Sequence, residues 1–225
     1  MVNILWVAAT IAESEPVRQH LNFAATSNGL FTVRWQECEV HLVHTGIGMV
    51  NTAYSLGKYL ALHQPDHALQ FGIAGSFDRS FPLGAVVEVV EDTFSELGAE
   101  NRGEFLNLEE MGFALMNLPG GKTYYNTLSN PLPSSLGLPK VTGITVNTVH
   151  GTANTIKMAS QQWNKQVETM EGAAFFHAML TEGIPFTALR GISNYVEPRN
   201  RAFWQIEPAV KQVNEAAMEW LTSLS

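Results

Sequence analysis

Along the chain, short apolar runs alternate with segments whose apolar residues recur at helical spacing. Residues 3–9 (NILWVAA) are the first run; Thr10 and a polar helical pattern beginning near Glu13 follow, carrying Val17, Leu21 and Phe23. This reads as a buried strand feeding a helix. Two β-rich stretches occupy 31–35 and 39–45, and after TGIGM the residues Met49, Ala53, Leu56 and Leu60 fall on one helical face. Pro65 should close that helix, because its ring cannot continue the hydrogen-bond ladder. Four more runs, Ala68 to Ile73, Ala85 to Val90, Val141 to Val146 and Phe186 to Ile192, are bounded by Gly, Pro or polar turn residues. Runs of this kind suit interior strands of a sheet covered on both faces. Helical patterns at 151–163, 170–182 and 204–222 separate or follow them, the last with a stripe of Ile206, Val210, Val213, Ala217 and Leu221.

Strands alternating with helices predict an α/β sandwich with a mixed, largely parallel sheet. Residues 95–140, rich in Gly, Glu, Asn and Pro, break the rhythm. They read as loop excursions from a single domain spanning 1–225, lining a site.

Composition narrows the function. With 225 residues, 45% hydrophobic and 15% charged, the chain is expected to bury one sizeable core. A net charge of −8 with 13 Lys plus Arg argues against nucleic acid and acidic membranes as partners. One cysteine, Cys38, excludes an intrachain disulfide and fits a reducing cytoplasmic compartment. The first apolar run lacks the basic flank of a signal peptide, and no apolar run approaches the length that spans a bilayer.

Several chemistries lack their motifs: there is no GxxxxGK[ST], HExxH, CxxC or GxSxG. His41 and His44 fall on opposite faces of a strand, and Pro65 interrupts the spacing of His63 and His67, so no metal site is expected. Gly46-Ile47-Gly48 and Gly72-Ile73-Ala74-Gly75-Ser76 read as two small-residue turns at strand ends, which outline a ligand crevice or serve merely as tight turns. Glu13, Glu171 and Asn194 each lie at a strand-to-helix junction. A helix-terminal Glu or a turn Asn has an ordinary structural use, but three polar groups at the same kind of junction suggest a site.

These segments resemble the nucleoside phosphorylase and nucleosidase superfamily. The pieces are AATIAE, TGIGMVNTA, FGIAGSF, TFSELGAENRGEF, TVNTVHGT, ETMEGAAFFHA and RGISNYVEPRNRAFW. FSELGAE and ISNYVEPRN are similar to the futalosine hydrolase family in particular. The resemblance implies a three-layer α/β/α sandwich, no cofactor, a homo-oligomer with a dimer favoured, and hydrolysis of the N-glycosidic bond of futalosine to release hypoxanthine in menaquinone formation. It further implies that Glu13 activates water, that Met170 and Glu171 hold the ribose, and that Val149 and His150 pack the purine. Ile73, Ala74 and Gly75 would line the site. Asn194 stands where the adenine-specific nucleosidases have Asp. An Asn NH₂ can donate to the O6 of a 6-oxopurine, which a carboxylate would repel. Arg199 and Arg201 are candidates for the carboxylate of the substrate tail, or else belong to a solvated loop balanced by Glu197 and Glu207. A methylthioadenosine/S-adenosylhomocysteine-type nucleosidase, a 6-oxopurine nucleoside phosphorylase and a nucleoside-binding domain without turnover are the alternatives.

Overall fold

The computed structural model of the chain describes residues 1–26 and 30–224. Its strands in chain order are β1 (Val2–Ala8), β2 (Ala24–Ala25), β3 (Phe31–Trp35), β4 (Cys38–His44), β5 (His67–Ser76), β6 (Val86–Phe94), β7 (Gly98–Asn101), β8 (Glu104–Asn107), β9 (Met116–Asn117), β10 (Thr123–Tyr124), β11 (Thr127–Ser129), β12 (Lys140–Thr145), β13 (Val167–Thr169) and β14 (Phe186–Tyr195). The α-helices are α1 (Ile11–His20), α2 (Met49–Leu60), α3 (Ala153–Trp163), α4 (Gly172–Glu182) and α5 (Ile206–Thr222), with a short 3₁₀ turn at Arg201–Phe203.

Alternation along β1 explains the layering. Ile4, Trp6 and Ala8 face α1 and α5, joining Val17, Leu21, Val213, Ala217 and Trp220. Leu5 and Val7 face the opposite side, where Leu56 and Tyr59 of α2 meet Phe175, Phe176 and Met179 of α4. A strand with apolar residues at every position can be buried on both faces only if helices cover both. The result is the expected α/β class with helices on each side of a mixed sheet.

Two parallel blocks make up that sheet, β4–β1–β5–β14 and β6–β12–β13. Antiparallel pairs β13–β5 and β14–β6 join them, so that β5, β14, β6, β12 and β13 form a closed ring. Three features depart from the sequence expectation. Residues 72–76 are not a turn but the end of β5, which runs on to Ser76 because β13 and β14 pair with that end. The strand β13 is only three residues long, too short for its pattern to show. The 95–140 stretch is not loop alone: it carries two hairpins, and β11 pairs with β6. The β7–β8 hairpin turns at Arg102 and Gly103, with φ of 53° and 89°, the left-handed pair that a two-residue turn needs.

Candidate active site

Glu13 is placed by its own helix. Thr10 is the N-cap of α1 and accepts the Glu13 amide at 3.4 Å, while the Glu13 carboxylate accepts the Thr10 amide at 2.9 Å, a reciprocal capping box. Its second oxygen accepts the Ile73 N–H of β5 at 3.2 Å. Gly72 makes the approach feasible, since a Cβ there would lie 2.6 Å from that oxygen. Asn214 of α5 fixes the same turn by donating to the Glu13 carbonyl at 2.7 Å and accepting from the Val17 amide at 3.2 Å.

Glu171 occupies the N-cap of α4 but does not cap it. The first amides of that helix go instead to threonines of neighbouring strands: Gly172 N–H to Thr169 Oγ1 at 3.2 Å and Ala173 N–H to Thr145 Oγ1 at 2.7 Å. The Glu171 carboxylate is thereby released to accept the Gly48 N–H at 2.8 Å. Gly48 has φ of 93°, a conformation that side chains disfavour. The turn GIG thus delivers an amide to a carboxylate 123 residues away in the chain. Burial raises the Glu171 pKa, with the Gly48 amide pulling back.

Beneath both carboxylates lies Arg190, fully buried and donating to Gln70 Oε1 and to the Leu189 carbonyl. Its charge faces Asp92, Glu171 and Glu13. Asp92 is entirely buried, and desolvation pushes its pKa up to about 6. Its Oδ1 accepts the Thr145 hydroxyl at 2.8 Å, and Gly172 leaves room for Oδ2, which a Cβ would approach to 2.0 Å. Neither Arg190 nor Asp92 stood out in the sequence; a charge inside an apolar strand, as in ALRGIS, was the available signal.

Asn194 lies one step past an irregularity in β14. Ile192 pairs with Ala74 and Asn194 with Gly75, so Ser193 is an extra residue that bulges. The Asn194 side chain accepts from Ser193 Oγ at 2.8 Å and donates to the Tyr195 carbonyl at 3.0 Å.

These groups line one cleft of about 350 Å³, the size range of small-molecule sites. Glu13, Ile73, Ala74, Gly75, Val149, Met170, Glu171, Asn194 and Arg199 all face it. His150 lines a recess of about 50 Å³ that shares Gly75, Val149, Glu168, Asn194, Arg199 and Trp204 with the cleft. Glu168 was missed in the sequence: it is buried, and both its oxygens are taken by His150, one by the backbone amide at 3.0 Å and one by ring Nδ1. Arg199 is exposed at the rim, its guanidinium 4.8 Å from the Trp204 ring centroid. Arg201 does not line the cleft; it sits exposed in the 3₁₀ turn. No residue of 95–140 lines the cleft either, which corrects the expectation that this stretch would. Among the described residues, no group of three His, Cys, Asp or Glu side chains is arranged to hold a metal ion.

The comparisons with known proteins meet this geometry. A family model described as the phosphorylase superfamily matches residues 4–224. The chain belongs to the phosphorylase superfamily. A futalosine hydrolase from Thermus thermophilus is 32% identical over 185 residues, covering 80% of each chain. Among solved structures, a futalosine hydrolase mutant of Helicobacter pylori superimposes with a TM-score of 0.82 at 14% identity, covering 99% of this chain and 100% of the other. A methylthioadenosine/S-adenosylhomocysteine nucleosidase from Colwellia psychrerythraea, in complex with adenine, gives a TM-score of 0.80 at 18% identity, covering 99% and 96%. The superfamily fold accordingly spans the whole cleft.

Proposed function

We propose that this chain is a futalosine hydrolase, cleaving the N-glycosidic bond of futalosine with water to give hypoxanthine and dehypoxanthine futalosine, a step of menaquinone formation. The observation that carries the reading is the convergence of Glu13, Glu171 and Asn194 on one cleft, joined to the similarity with the futalosine hydrolase of T. thermophilus. Glycosidic cleavage builds positive charge on the ribose and negative charge on the departing purine, so the site must offer carboxylates at one end and donors at the other. Glu171 holds the ribose hydroxyls and Glu13 takes a proton from the attacking water. Met170 packs beside the sugar, and Ile73, Ala74, Gly75 and Val149 form the walls. Asn194 donates to the 6-oxopurine.

Water rather than phosphate is the nucleophile in this reading. A phosphate pocket wants fixed arginine forks; Arg199 is the single cation among the cleft's lining residues, and its guanidinium is exposed and lies over Trp204. Arg199 reads the carboxylate of the substrate tail, with Trp204 as its aromatic floor. A cytoplasmic homodimer completes the proposal, supported by exposed Ile47, Val50 and Tyr54 along α2 and the turn before it. No helix among the described residues is long and apolar enough to cross a membrane.

The decisive experiment measures free base released from futalosine, inosine and methylthioadenosine, with and without phosphate. Phosphate-independent release of hypoxanthine, fastest from futalosine, is expected. Phosphate-dependent cleavage, or faster release of adenine, overturns the reading.

A further inference from the structure

Asn194 leaves a chemical gap. A purine that departs with the bonding electron pair leaves best when it is protonated, and an amide cannot supply a proton. A carboxylate at this position could, but this chain has none there. A titratable pair stands on the other side of Gly75 instead. Gly75 of β5 pairs with Asn194 of β14 on one side and with Glu168 of β13 on the other. Asn194, Glu168 and His150 therefore line the same recess at the base end of the cleft.

The pair is built with care for orientation. Glu168 is 4% exposed, and its two oxygens grip His150 at both the backbone amide and ring Nδ1. A carboxylate that accepts Nδ1–H settles the ring orientation and balances the charge of a doubly protonated imidazole. It leaves Nε2 as the outward donor; among the described residues Nε2 makes no hydrogen bond or ion pair. The His150 side chain retains 19% exposure, enough for contact with a ligand.

Resting on the futalosine hydrolase reading, we infer that the His150–Glu168 pair is the general acid that protonates the departing purine. In this step the bond from C1′ to the purine nitrogen breaks and its electron pair stays with the purine. The proton on His150 Nε2 passes to a purine ring nitrogen, the hydroxyl of the attacking water adds to C1′, and the remaining water proton goes to Glu13. Glu13 then releases a proton to solvent and His150 takes one up, so the sum is one water consumed. Asn194 orients the base while the pair supplies the proton. Burial raises the Glu168 pKa and the His150 contacts lower it, which agrees with a carboxylate whose ionisation depends on its histidine. The other titratable groups facing the pair are Glu96, which opposes Glu168 electrostatically, and Tyr195, Glu197 and Arg199 around the recess.

The test compares wild type with His150→Gln and Glu168→Gln on futalosine and on p-nitrophenyl riboside, whose leaving group departs without a proton. Both variants are expected to lower kcat on futalosine about 10²-fold with KM nearly unchanged. The fall in wild-type kcat at high pH should vanish in them, and p-nitrophenyl riboside should be cleaved within about threefold of wild type. Equal losses on both substrates, or unchanged kcat on futalosine, overturn the inference. Wild type decides the reading beneath: no hypoxanthine from futalosine removes both, whereas wild-type turnover with unaffected variants removes the general acid alone. Melting temperatures of the variants separate misfolding from lost chemistry, and the His150 variant, at a partly exposed side chain, is the one expected to fold most readily.

Discussion

Two glutamates stand at two helix N-termini in this cleft, and their helices treat them in opposite ways. At α1, Glu13 is itself part of the cap, one oxygen tied to Thr10 and the other reaching Ile73. At α4, Thr145 and Thr169 take the helix amides, and the carboxylate of Glu171 is held by backbone amides outside the helix, chiefly that of Gly48. The first arrangement couples stability to chemistry within four residues. The second separates them, since the groups that stabilise the helix are not the group that faces the ligand. Helix N-termini favour carboxylates electrostatically in both cases, so a first-turn Glu is neither structural nor functional by position; its partners decide.

The largest expected effect tests whether both carboxylates act in the reaction. Glu13→Gln and Glu171→Gln should each lower kcat by at least ~10²-fold, since each removes charge used more in the transition state than in the ground state. Glu171→Gln should leave the melting temperature nearly unchanged, since an amide oxygen can still accept the Gly48 N–H. Glu13→Gln keeps an acceptor for Thr10 but turns its NH₂ towards the Ile73 N–H, so a loss of about 1 kcal/mol is expected there. Near-normal turnover by either variant removes that residue from the proposed mechanism.

Next is base selection. Asn194→Asp should shift the ratio of kcat/KM from inosine-type toward adenosine-type substrates by about 5- to 150-fold, as expected for about 1–3 kcal/mol from reversing one hydrogen bond. An unmoved ratio puts base recognition elsewhere.

The capping difference itself is tested by Thr145→Val. Because its hydroxyl serves both Asp92 and Ala173 in a buried setting, the loss should cost about 1–3 kcal/mol of stability, read by denaturant unfolding. By contrast, Glu13→Ala, which removes the reciprocal half of the Thr10 capping box, should cost about 0.5–1.5 kcal/mol beyond Glu13→Gln, the net worth of one hydrogen bond. If Thr145→Val is neutral, the α4 cap is not where that helix start is secured.

A pH scan sharpens the picture of the buried charges. The Asp92 pKa is raised from 3.8 to about 6 in the folded chain, so the native state holds this proton more tightly than the unfolded state. Stability contributed by Asp92 is therefore present at low pH and is lost as pH rises from about 4 to about 6. Asp92→Asn should flatten that part of the stability profile, and an unchanged slope would show that the carboxyl titrates normally.

The smallest effects belong to the tail segment. Arg199→Ala should raise KM for futalosine more than for inosine. Arg201→Ala, at an exposed side chain outside the cleft, should change either by less than about twofold. Steady-state kinetics on both substrates checks the pair, and equal effects from the two arginines break the assignment of the rim to Arg199.

Much of this was legible in the chain. Alternating runs located the long strands and four helices closely, because a strand or helix buried on a known face must carry its apolar residues at a fixed period. Glu13, Glu171 and Asn194 were visible as junction residues, and structure brings all three to one cleft. Other features were not local. The GIAGS segment has the composition of a turn, yet it is a strand because β13 and β14 arrive on either side of it. Glu168 lies in a strand of three residues, too short for a period, and its partner His150 is 18 positions away. What the sequence determined by itself was periodicity and residue chemistry, which depend on near neighbours. Only the tertiary structure decided that a glycine amide at 48 meets a carboxylate at 171, that Arg190 lies beneath two glutamates, and that Arg199 and not Arg201 reaches the rim. Those pairings are set by how the sheet closes on itself, and loop closure over a hundred residues leaves no trace in local pattern.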